Sequence, residues 1–378
     1  MACPWTLALL LLLLTLVAAA AQTQLEARRH RRRSTDGTSD AAAHEPLAIN
    51  VLERKAYRHH PVLRAVQLGA YSIDKQFLVE LNGLKVPVEF DCDNFNANKH
   101  WAASKHFYYY EVPSRWHACH VHQASLQSGL SLHQPALPIV DDEYAEHVAV
   151  FQAVLRSKPG QMFVVAELGA RWGTWGARAV AMLRAVRGAS SNYHALFVES
   201  DQGSCDGLRR VMAINNISSY SLDCAKADAQ AQMARFEKFD HVDLLDLDIQ
   251  GGELGWLQVA EKLVRAKVYR LIVGTHSLRA HSAVQSMFAD WILIHEAPKQ
   301  TGKRCFDVTM RHLRGNYRAD SPERFDWGKI LESGCYHNTS FGPVVQADGE
   351  LILDNPAFVR REGAFAMSDA RLRVADLI

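Results

Sequence analysis

The chemistry legible in this chain rests on a few acids, a cluster of glycines and one histidine. Phe163 to Gly176 reads FVVAELGARWGTWG: an apolar run ends on Glu167 and gives way to Gly169, Gly173 and Gly176. Strand, acid, Gly turn and helix, in that order, are how a doubly wound α/β domain holds a nucleoside. Gly169 and Gly173 remove side chains where a ligand would approach the backbone. Glu199 closes the next apolar run, where a carboxylate can accept hydrogen bonds from both ribose hydroxyls. Asp248 and His276 close two later runs. Strand ends of an open α/β sheet face the ligand crevice. His276 is therefore the candidate general base, because imidazole titrates near neutral pH. Asp248 is placed to orient an acceptor, take its proton or bind a divalent metal. Glu253 opens the following helix, suited to its N-terminal dipole and to an acceptor contact.

The spacing E-x-G-x-x-x-G argues about the ligand. A dinucleotide fingerprint wants G-x-G-x-x-G, and Arg171 occupies the place of the middle glycine. The reductase pairing Tyr-x-x-x-Lys occurs at Tyr71 and Lys75, upstream and in the wrong part of the fold. Without a Gly nest for a pyrophosphate, an adenosine cofactor lacking phosphates fits, and S-adenosylmethionine is one.

These residues need a scaffold, and the pattern supplies it. Asp141 to Leu155 has helical spacing and ends at Lys158-Pro159-Gly160. Strands follow at 162–168, 194–199, 220–223, 242–249, 269–276 and 291–295. Helices fall at 174–186, 205–214, 253–266 and 283–289. Alternating strands and helices imply a doubly wound α/β fold, with a mostly parallel seven-stranded sheet covered on both faces. Phe306 to Arg311 reads as a last, antiparallel strand. Turn signals from Leu313 onward, Asp348-Gly349 and Asn355-Pro356 among them, suggest a cap on the same core.

Four ordered blocks resemble the FkbM-type class I methyltransferases. They are Glu167-Leu-Gly169-Ala170-Arg171-Trp-Gly173; Glu199 with Leu208 and Asn215-Asn216; Asp246-Leu-Asp248-Ile-Gln250-Gly251-Gly252-Glu253; and Gly274-Thr-His276. The family has Asn at Arg171, Lys at Asp246, and Glu at Gln250 and Gly274. The resemblance implies a seven-stranded Rossmann-like fold and S-adenosylmethionine held by Glu167, Gly169, Gly173 and Glu199. It also implies methylation, on oxygen, of a sugar, glycan or other hydroxylated acceptor. One rival is a metal-dependent glycosyltransferase using Asp246 and Asp248. Another is a binding protein with the same fold and no catalysis.

The remainder bounds the setting. The chain has 378 residues, 48% hydrophobic and 22% charged, with net charge +1. That balance gives no electrostatic case for a nucleic-acid partner. Trp5 to Ala21 is apolar and ends in alanines, as a signal peptide or membrane anchor would, so the secretory pathway or a membrane is the expected location. Residues 22–45 read as a basic, Ala-rich linker, 46–158 as an accessory region, 159–312 as the Rossmann-like domain and 313–378 as the cap. The seven cysteines form no CxxC pair. His117, Cys119, His120 and His122 lack a second ligand pair for zinc, and no metal is assigned. Asn216-Ile-Ser218 and Asn338-Thr-Ser340 are sequons, relevant to a lumenal body.

Overall fold

The computed structural model describes residues 70–91, 143–298 and 349–359, with short pieces at 60–63, 118–138 and 337–344. The expected leader, the linker, His117, His120 and the strand expected at Phe306 to Arg311 lie outside the described residues. Among the described residues, no helix is long and apolar enough to cross a membrane.

The elements that matter begin with α1 (Tyr144–Arg156), β1 (Phe163–Leu168) and α2 (Thr174–Arg187). Next come β2 (Tyr193–Val198), α3 (Gln202–Ile214), β3 (Tyr220–Asp223) and α4 (Ala229–Phe236). The second half holds β4 (Val242–Leu247), α5 (Glu253–Lys267), β5 (Val268–Thr275), α6 (Leu278–Met287), β6 (Ile292–Ala297) and β7 (Gly349–Asp354). The expected alternation is present, with one helix, α4, that the pattern did not suggest. Its eight residues are capped by Asp228, whose side chain accepts from Ala231 N.

The seven strands run in the order β6-β7-β5-β4-β1-β2-β3. All neighbours are parallel except β7, which is antiparallel to both β5 and β6. This is a doubly wound, Rossmann-like α/β fold with one antiparallel strand in the sheet. The order reverses between β1 and β4, so the ligand crevice of such a sheet lies at their carboxyl ends.

Both central strands are buried along their whole length, as parallel strands under two helical layers must be. Phe163, Val165, Leu244, Ile272 and Ile352 point to one face, under α1, α2 and α3. Val164, Leu168, Leu245, Leu271 and Leu351 point to the other, under α4, α5 and α6. The α1 helix thus belongs to the layer covering the sheet, ahead of the boundary expected at 159.

Residues 349–354 correct the expectation of a cap. They form a fully buried strand inside the sheet. Its end is fixed by Asp354, which receives Arg270 Nε at 2.6 Å, Arg270 Nη2 at 2.9 Å and Arg156 Nη1 at 2.5 Å. Arg270 also donates to Ala149 O and Gln152 Oε1 on α1. A short hairpin, Phe77–Val79 with Lys85–Pro87, joins the same body. Glu80 there takes a two-pronged bond from Arg178 of α2.

Candidate functional site

The Gly turn sits at the switch point, and its backbone is bonded within the protein. Gly169 has φ +89, and a Cβ on it would stand 1.7 Å from the Asp248 carbonyl oxygen. The backbone just past β4 therefore demands a glycine there. Gly173, φ +87, caps α2 against Met212, Phe197 and Leu208. Gly169 N and Ala170 N donate to Val198 O, Gly173 N and Thr174 N to Ala170 O, and Arg171 N to Glu199 Oε2. Trp175 N and Gly176 N, at the start of α2, donate to the two oxygens of Glu167 at 2.9 and 2.8 Å.

A phosphate held at a helix N-terminus needs those N–H groups. Here a protein carboxylate has them. Glu167 is 1% exposed, with both oxygens turned into the start of α2. Burial pushes its carboxyl up to about 8, against the two N–H groups and Arg178, with Glu199 adding to the rise.

Glu199 stands just past β2, on the outer side of the turn. Its Oε2 accepts Arg171 N and its Oε1 accepts Asp201 N, each at 2.7 Å. Each carboxylate oxygen has a second lone pair, so acceptor capacity for a diol remains. Arg171 itself has φ +48, in the left-handed region. The residue type found there in the similar family, Asn, tolerates that region better than Arg does.

Asp248, Glu253 and His276 converge as a second group. His276 Nδ1 is 3.0 Å from Glu253 Oε1, and His276 Nε2 is 3.3 Å from Asp248 Oδ1. Glu253 Oε1 also accepts Ile249 N and Gly251 N, and Oε2 accepts Gly251 N. The Glu253 side chain is 0% exposed, whereas that of Asp248 is 44% exposed. Glu253 thus holds the β4–α5 loop and His276 in place. Burial acts to raise its carboxyl, but the His276 bond and the Gly251 N–H outweigh it and hold it below the usual range. Gln250 and Gly251 in this loop have φ +57 and +106, a strained turn of the sort found beside functional groups.

The potential ligand atoms of Asp248, Glu253 and His276 all lie within 4.8 Å of one another. Glu253 Oε1 already takes three contacts, so a divalent metal would have to displace backbone donors. Asp246 and Asp248 do not converge as the paired clamp that a metal-dependent glycosyltransferase would need: among the described residues Asp248 groups with Glu253 and His276, and Asp246 is not of that group. Asp243 anchors the start of that strand through Val164 N and His241.

Sequence reasoning missed two more acids here. Glu350 of β7 and Glu146 of α1 act electrostatically on Asp246 or with it. Glu350 carried no signal as a site residue because β7 itself was not expected. Cys205 and Cys224 form a disulfide that ties the first turn of α3 to the end of β3. Cys119 is disulfide-bonded too, to a partner outside the described residues.

No family model matches the chain, and no curated protein does. Among solved structures, the METTL16 methyltransferase domain is similar over 80% of this chain and 92% of its own, at 10% identity and TM-score 0.35. An rRNA methylase from Streptococcus thermophilus is similar over 56% and 95%, at 6% identity and TM-score 0.33. TrmK of M. capricolum, in complex with S-adenosyl-homocysteine, is similar over 55% and 67%, at 6% identity and TM-score 0.29. Likenesses of that size fix neither substrate nor chemistry.

Proposed function

We propose that this chain is an S-adenosylmethionine-dependent methyltransferase of the FkbM type. One observation carries the reading: the turn at the switch point spends its N–H groups on Val198 O, Ala170 O, Glu199 and Glu167. Such a turn suits an adenosine cofactor without phosphates and disfavours a dinucleotide. Glu199 would accept the ribose hydroxyls, with the turn from Gly169 to Gly173 beneath the cofactor. When bound, S-adenosylmethionine supplies an electrophilic methyl group on a sulfonium.

The chain's own task is to bring the acceptor in line and to receive its proton. Glu253 holds His276 by Nδ1 and leaves Nε2 toward Asp248 and the crevice. With its proton on Nδ1, that ring has a basic Nε2 lone pair. Asp248, half exposed beside it, orients a hydroxyl and stabilises the imidazolium that forms. The acceptor is a sugar, glycan or other hydroxylated molecule. The Cys205–Cys224 disulfide and the apolar segment at residues 5–21 both support a place in the secretory pathway or at a membrane.

Calorimetric titration of the full chain with S-adenosylhomocysteine tests the cofactor. Saturable binding is expected, with no heat from NADH or from a nucleotide sugar plus manganese. Binding of the nucleotide sugar and not of S-adenosylhomocysteine would overturn the reading.

A further inference from the structure

A row of carboxylates crosses the face of the sheet that α1 and α2 cover, at the strand ends. Glu167 on β1 is the register partner of Asp246 on β4. On β5 the same row reaches Gly274, whose missing side chain leaves room for Asp248: a Cβ there would lie 3.1 Å from Asp248 Cγ. Gly274 is in turn the register partner of Glu350 on β7. From α1, the half-buried Glu146 adds its charge over Glu350 and Asp246.

Two members of the row are buried and unsatisfied. Asp246 is 1% exposed, and neither of its oxygens has a hydrogen-bond partner. Glu350 is 4% exposed, and neither oxygen takes a hydrogen bond, although His295 Nε2 stands 3.4 Å from Oε2. Buried carboxylates with empty lone pairs are costly and need an account. The charged groups acting on Asp246 are Glu167, Asp248 and Glu350, all acidic. Like charges so placed make the free protein hold protons it would otherwise release.

We propose that Asp246 and Glu350, with Glu146 over them, form the docking site for a protonated amine carried by the methyl acceptor. The acceptor class is thus a hydroxylated amine, its ammonium on the row and its hydroxyl toward His276. An ammonium offers three donors to the empty lone pairs and brings the opposite charge. A bare metal ion fits less well, because the group whose ligand atoms converge within 4.8 Å is Asp248, Glu253 and His276, without Asp246 or Glu350. This inference rests on the methyltransferase reading of the same crevice.

The test uses the full chain saturated with S-adenosylhomocysteine and two probes of the same length, 4-aminobutan-1-ol and butane-1,4-diol, at matched ionic strength with chelator present. Binding is followed by thermal shift and calorimetry. The amino alcohol is expected to raise the melting temperature and to release protons, read from its heat in buffers of different ionisation enthalpy. The diol is expected to do neither. Glu350→Gln and Asp246→Asn, both isosteric, should weaken the amino alcohol roughly tenfold to a hundredfold while leaving S-adenosylhomocysteine affinity in place. Equal responses to the two probes, or none to either, would overturn the proposal and leave the cofactor reading intact. Equal losses of amine and S-adenosylhomocysteine in Glu350→Gln would assign the row to the cofactor's own ammonium and overturn it too. If S-adenosylhomocysteine fails to bind while the amine still does, the cofactor reading is what falls.

Discussion

His276 Nδ1 rests 3.0 Å from Glu253 Oε1, an oxygen that also collects two backbone N–H groups of the β4–α5 loop. That single oxygen ties the loop's shape to the ring's orientation. A carboxylate can only accept, so this oxygen holds a proton on Nδ1.

Glu253→Gln keeps the loop's acceptor and can place an N–H against Nδ1. The ring proton then moves to Nε2, and the base is lost. Turnover is expected to fall roughly 10²- to 10⁴-fold with S-adenosylhomocysteine affinity unchanged. Nitrogen NMR of His276 reads the tautomer without any acceptor. An unaltered tautomer in the variant would remove this role from Glu253.

Glu199 has two duties, so its removal has two effects. Glu199→Ala deletes the acceptor for Arg171 N and Asp201 N. A loss of about 2–4 kcal/mol in unfolding free energy is expected, from two hydrogen bonds to a charged group. Cofactor affinity should drop as well. Glu199→Gln, which retains an acceptor oxygen, should recover part of the stability and little of the affinity. Full affinity in both variants would place the ribose elsewhere.

The pH dependence of stability has a definite sign. Glu167 titrates near 8 when folded, against an unfolded value of 4.5, so the folded protein binds that proton more tightly. The stabilisation is whole below about 4.5 and is lost as pH rises through about 8. Asp246 and Glu146, raised by burial and by their acidic neighbours, act in the same sense. Glu253 and Asp354 are held low, and their contribution is lost in the other direction, as pH falls through the acid range. Above about pH 6.5, where His60, His122, His194 and His281, held low by burial, no longer titrate, the urea midpoint should therefore decline up to about pH 8, and Asp246→Asn should flatten the slope. A midpoint that climbs over that interval would contradict the geometry of the row.

Arg171 has a backbone that its side chain disfavours. Arg171→Asn or Arg171→Gly should raise stability by about 0.5–1 kcal/mol through relief of φ +48. Denaturant melts of the three proteins decide it. A loss in both variants would show that the Arg171 side chain contributes more than its backbone costs.

Reduction of Cys205–Cys224, nineteen residues apart, should lower stability by about 3 kcal/mol. The bridge lies behind Glu199, whose N–H donates to Asp223 O. Cofactor affinity should therefore fall more than amine affinity does. Equal melts with and without reductant would show that the bridge contributes nothing.

Much of the scaffold was legible because parallel strands announce themselves. FVVAEL and VDLLDL are apolar runs bounded by Gly turns, and each became a buried strand. The helix at Ala229 to Phe236 escaped because AQAQMARF buries only Ala229, Gln232 and Phe236. The strand GELILD escaped for another reason. Its bracketing turns were visible, but its partners β5 and β6 precede it by a long stretch of chain. Sequence order alone cannot show an insertion between two earlier strands. That Asp248, Glu253 and His276 lie at neighbouring strand ends was legible, and the bonds that Glu167, Gly169 and Glu253 make or require within the chain were not. Those bonds depend on which backbone groups the side chains meet, and spacing carries no such information.

The position of β7 in the sheet also sets an order of events during synthesis. Six strands of the sheet precede Gly349 in the chain, yet β5 and β6 are joined only through β7, which lies between them. Without it both present open edges, and Arg270 lacks the carboxylate that neutralises it. A chain halted short of Gly349 would lack Glu350 as well as Asp354. Completion of the sheet and completion of the acidic row are the same step.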